Sequence, residues 1–179
     1  MQKVSQRLAS MTFEKPELKK ALVELAFDVQ HFRCYVQLYK NTKLQRVCPA
    51  AYQAVLYSML LHFRLLLDFF YGKPKKDDCS VRHFRILQGF STAFPASLLL
   101  APPDKVSFNL HKRLAHLTAT RWEQPRPSMD HYEKHFDQVN KLLNLFQAAL
   151  PADMRMVFIS ELNKWENRHP ATMLGDSNV

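Results

Sequence analysis

Five polar side chains, Asn109, Lys112, Arg113, His116 and Thr120, recur at intervals of three and four residues, so on a helix they share one face. The imidazole titrates near neutral pH, the two cations attract phosphate, and the amide and hydroxyl both donate and accept hydrogen bonds. In this grouping His116 is the candidate general acid/base. Arg113 is a candidate to steady a phosphate, and Asn109 to orient the ring. Lys112, Thr120 and the nearby Arg121 are candidate binding residues. A second reading stays open, in which His116 is a structural histidine whose ring hydrogen-bonds Asn109, Asp68 or Thr120 between helices. Val106, Leu110, Leu114 and Leu117 repeat with the same spacing, giving this helix an apolar back to pack.

Arg64 and Asp68 stand four apart within an otherwise apolar run and are expected to pair along their helix. Arg64 is also a candidate phosphate contact, and Asp68 a candidate binding residue. His62 lies on another azimuth of that helix and reads as a core or semi-exposed histidine. His131 and His135, with Asp130, Glu133 and Asp137 near, have a spacing that can hold a divalent metal. They lack a third ligand on the same face, so a solvated helix face is the expectation and no metal site is assigned. No glycine-rich phosphate loop, nucleophile elbow, HExxH or CxxC pattern occurs, and no cofactor is expected.

The elements that must carry these residues are helical. The chain has 179 residues, with three glycines against ten prolines. That balance favours long helices stopped by proline over a sheet with tight glycine turns. Leu18, Leu22, Leu25, Val29, Phe32, Val36 and Tyr39 line one face of a first helix opened by Pro16. Asn41–Cys48 reads as a polar link. Ala50–Tyr71 is apolar nearly all round and belongs in the centre of the fold, with Gly72 as its C-terminal cap. Ser80–Phe90 has room for a short helix or turn, and Leu98–Leu100 must lie against the core. Further helices are expected to Trp122 from near Pro103, over Met129–Ala149 with Ser128 as N-cap, and over Asp153–Asn167. The expectation is an all-α, single-domain bundle of four to five helices over residues 1–165, with a disordered tail over 166–179.

A net charge of +9 points to a polyanionic partner, RNA or a nucleotide before an acidic protein. The three cysteines, Cys34, Cys48 and Cys79, are expected to be reduced thiols of a cytoplasmic protein. The first ten residues hold no apolar signal region, and no apolar run reaches the length of a bilayer span, so no membrane partner is expected.

LLHFRLLLDFFYGKPKKDD (60–78), followed by NLHKRLAHLT (109–118), resembles uncharacterised bacterial HEPN-like helical-bundle proteins. In those proteins an LLHxRxLLDFFYG helix accompanies an N…HLT…R helix. The resemblance implies a small, often dimeric α-helical bundle. It also implies metal-independent RNase activity in defence or stress, with His116 as the motif histidine. The family's arginine precedes its histidine by four to six residues, whereas Arg113 has two residues between it and His116. Arg64, from another helix, is then the candidate to supply the missing guanidinium. An Arg-x4-His match at Arg126–His131 has its arginine between Pro125 and Pro127 and is set aside. The alternatives to an RNA-directed activity are a non-catalytic interaction or dimerisation module and a nucleotide-binding sensor.

Overall fold

A computed structural model of the chain describes residues 13–40, 42–72, 78–99 and 130–166. The described residues are mostly helical, with no strand among them. Four long helices dominate: α1 (Lys15–Lys40), α3 (Pro49–Tyr71), α5 (Asp130–Ala149) and α6 (Ala152–Glu166). Two short helices, α2 (Thr42–Val47) and α4 (Phe90–Ala93), and 3-10 turns at Val81–Ile86 and Ala96–Leu99 join them. The helix expected to carry Asn109, Lys112, Arg113, His116, Thr120 and Arg121 lies outside the described residues, as do Ser128 and the tail after 166.

The first helix begins where its sequence permits. Pro16 occupies the opening turn, where a missing N–H costs no hydrogen bond. The Glu14 backbone N–H donates to the Glu17 carboxylate at 2.8 Å, satisfying a donor the helix leaves open. Leu18, Leu22, Leu25, Val29 and Phe32 are buried as their spacing requires. The segment read as a polar link instead forms α2: Thr42–Val47 contains neither glycine nor proline, and Pro49 falls just after it to start α3. At the other end of α3, Gly72 has ordinary extended dihedrals, φ −60 and ψ 149, so it is not a left-handed cap. Its smallness is what the site needs, because a Cβ there would lie 2.3 Å from the Asp68 carbonyl oxygen.

Ring contacts set the directions of the long helices. Asp28 meets His62, Phe32 stacks near Phe63 and Tyr39 stacks on Tyr52, so α1 and α3 are antiparallel. Phe63 meets Tyr132 and Phe136, while Phe70 meets Phe146, so α5 runs parallel to α3. Lys15 and Lys19 pair with Asp153 near the starts of their helices, and Gln30 reaches Leu162 further along, so α6 runs parallel to α1. The Gln30 amide is buried and donates to the Leu162 carbonyl oxygen at 2.7 Å, which removes the cost of an unsatisfied polar group in the core. At the α5–α6 corner the Arg155 guanidinium donates to the Ala148 and Leu150 carbonyl oxygens at 2.7 and 2.9 Å. These are among the acceptors that a helix C-terminus leaves without a partner. Parallel neighbours cannot be joined by a tight turn. The chain between α3 and α5 therefore packs α4 and its flanking turns over the end of the fold, with Leu98 and Leu99 against the core as expected.

Lys19 and Lys15 hold the Asp153 carboxyl at about 2, below its usual 3.8. A carboxyl whose folded pKa is depressed stabilises the native state above its unfolded pKa and loses that contribution as pH falls through the folded one. Denaturant unfolding should therefore show an increment of stability disappearing as pH drops from 3.8 to about 2. In Asp153→Asn that increment should be absent from the start; an unchanged acid limb would rule the pair out as its source.

Being apolar nearly all round, α3 is expected in the centre of the fold, and most of it is buried there, but among the described residues one side stays open. Leu56, Met59, Leu60, Phe63, Leu66, Leu67, Phe69 and Phe70 are buried, but Tyr57, Leu61 and Leu65 remain 40%, 44% and 40% exposed. They stand four apart and form one stripe on its outer side. Among the described residues α3 is the one helix long and apolar enough to cross a membrane, and most of its large apolar side chains are spent on the core.

Candidate functional site

On α1, Phe27, His31 and Tyr35 follow one another at four-residue steps, with Asp28 beside them. His62 on α3 faces this row across the α1–α3 seam. Its Nδ1 lies 2.9 Å from Asp28 Oδ1. A carboxylate oxygen can only accept, so Nδ1 carries the hydrogen and donates it. This is an oriented imidazole, the arrangement that general-base chemistry requires. The ring is only 12% exposed and Asp28 24%, so the pair is largely desolvated at an edge of the fold.

The surroundings reinforce the orientation. His31 donates its own Nδ1–H to the Phe27 carbonyl oxygen at 2.9 Å, one turn back along the helix. Its ring centroid lies 3.9 Å from that of Phe27 and 5.1 Å from that of His62. Tyr35 stacks on His62 at 5.9 Å with 19° between planes, and Phe27 meets it edge-on at 6.0 Å. Two imidazoles, a carboxylate and a phenol thus converge on one seam.

The sequence-predicted residues divide into two groups. His116, Arg113, Asn109, Lys112, Thr120 and Arg121 lie outside the described residues. Arg64 and Asp68 lie within them and pair along α3 as expected, with Nε 3.5 Å from Oδ2. The alignment falls short of a hydrogen bond, since the buried Arg64 Nε makes none. This is an ion pair by distance, with a guanidinium not fully satisfied by its neighbour. His62 turns to α1 while Arg64 pairs along its own helix, so the two residues have different partners.

The Asp28–His62 pair was not foreseen. Its two members are 34 positions apart, and each is unremarkable on its own helix. The available signal was that Asp28 and His31 flank the apolar stripe of α1 just as His62 flanks that of α3. Only the antiparallel register turns this into a contact.

The remaining reactive groups are quieter. The three cysteines are free, and burial pushes the Cys79 thiol up to about 11, away from the thiolate that attacks or binds metal. Tyr71 is raised by burial, an effect opposed by the Gln138 amide N–H that donates to its hydroxyl at 3.1 Å. Among the described residues no group of three His, Cys, Asp or Glu side chains is placed to hold a metal ion. Compared with known proteins, the chain matches no family model, no curated protein and no solved structure.

Proposed function

We propose that this chain is a HEPN-like helical bundle of the cytoplasm that binds RNA and cleaves it without a metal, in defence or stress. The observation that carries the reading is the Asp28–His62 pair: an imidazole whose Nδ1–H is held by a carboxylate, at an edge of a chain with net charge +9. In such a reaction the Nε2 lone pair takes the proton of a ribose 2′-hydroxyl. The freed oxygen attacks the adjacent phosphorus, and the 5′-oxygen leaves with a proton from a second acid, ending in a 2′,3′-cyclic phosphate. His31, at 5.1 Å from His62, and the motif histidine His116 are the candidates for that acid. Arg64, Arg113 and Lys112 supply cations for the phosphate.

The test is incubation of the full chain with single-stranded RNA in excess chelator, read for cyclic-phosphate ends. Cleavage that falls in His116→Ala, with the helical circular dichroism intact, supports the reading. Neither cleavage nor RNA retention at low salt would sink it.

The exposed stripe Tyr57, Leu61 and Leu65 favours a second reading, a module that pairs with itself through α3. Light scattering would then find a dimer that Leu61→Glu converts to monomer, and a parent that is monomeric throughout would remove this alternative.

A further inference from the structure

Away from the His62 seam, α1 and α5 enclose a cleft of about 410 Å³. Its floor is apolar: Phe32 and Phe136 are buried, and their rings meet edge to face at 5.0 Å. Its two walls carry opposite charge. Arg33 and Lys40 come from α1, whereas Glu133 and Asp137 come from α5. Lys40 Nζ lies 3.6 Å from Glu133 Oε1 and closes one end.

The two walls narrow the ligand by elimination. A cleft lined only by cations would take any phosphate, and one lined only by carboxylates would take any cation. Facing walls of opposite sign over an apolar floor suit a flat molecule with an anion at one end and a donor-rich edge at the other. Among RNA components, guanine alone presents two adjacent N–H donors, N1–H and N2–H, which match the two oxygens of one carboxylate. Adenine and cytosine each turn a ring-nitrogen acceptor toward such a group, and uracil flanks its single N–H with two carbonyl oxygens.

We propose that the α1–α5 cleft binds a guanosine monophosphate unit, its base edge on Asp137 and its phosphate on Arg33. Asp137 is preferred to Glu133 for the base because Glu133 already faces Lys40. The nucleotide is either free or part of an RNA strand, and only the second source rests on the RNA reading above.

Calorimetry on the full chain with guanosine, inosine and adenosine monophosphates tests the assignment without requiring any cleavage. Guanosine monophosphate should bind on the order of ten-fold more tightly than adenosine monophosphate, the scale of one good bidentate contact. Inosine monophosphate, which lacks the exocyclic donor, should fall between them. Asp137→Asn should erase the preference while leaving the adenosine nucleotide unaffected, and Arg33→Gln should weaken all three. A guanosine-containing single-stranded oligonucleotide that displaces the mononucleotide would support the site and assign it to RNA. One that fails to displace it would support the site for the free nucleotide. No saturable binding of guanosine monophosphate, or a preference that survives Asp137→Asn, would overturn the proposal even if the RNA is cut.

Discussion

Phe146→Ala should cost about 3–5 kcal/mol of stability, the range for deleting a buried aromatic side chain. The residue is fully buried, and among the described residues its ring meets six others. Phe69, Phe70, Phe84, Phe90, Phe94 and Phe158 surround it with centroids 5.0–6.3 Å away and interplanar angles of 75–88°. Each is an edge-to-face contact of the kind favoured by the ring quadrupole, worth about 0.5–1.5 kcal/mol beyond the area buried. The six neighbours come from α3, the first 3-10 turn, α4, its C-terminal cap Phe94, and α6, so they cannot all close on the space left by alanine. For a chain of this length, about 2–4 °C of melting temperature is lost per kcal/mol, so a drop of about 6–20 °C is expected. Phe146→Leu, which keeps most of the volume, should lose much less. A fall below about 1 kcal/mol for alanine, read by urea unfolding, would mean that this end of the fold is loosely packed.

On the RNA-cleaving function proposed above, His62→Ala should lower metal-independent cleavage by about 10²–10⁴-fold, the usual contribution of a positioned acid or base. Asp28→Asn should lower it less, because the amide oxygen can still accept the Nδ1–H at 2.9 Å while the negative charge is gone. The pair of variants separates chemistry from folding. Loss of activity with unchanged thermal unfolding in Asp28→Asn assigns the role to the carboxylate's negative charge beside the imidazole. Full activity in a folded His62→Ala protein removes this residue from the reaction.

Much of the helical layout was legible in the residues themselves. The stripe Leu18, Leu22, Leu25, Val29 and Phe32 announced α1, and Pro49 and Pro151 marked real boundaries. Helix α2 was missed because six residues of mixed polarity carry no apolar period to read. The open side of α3 was missed for a different reason. Composition says how much apolar surface a helix has, but not how many neighbours come to cover it. The Arg64–Asp68 pair was readable because its geometry is internal to one helix. Asp28–His62 and the α1–α5 cleft depend on how separate helices are placed side by side, which no local spacing encodes.

The clasp between α1 and α6 carries a cost during synthesis. Gln30 waits for a carbonyl 132 residues downstream, so the first helix leaves the ribosome long before its last companion exists. A contact of such range forms late, after the loop-closure entropy of the intervening chain has been overcome. Until then α1 has α3 and α5 to cover it but not α6, and a nascent chain stalled short of Leu162 leaves open the apolar face that α6 will close.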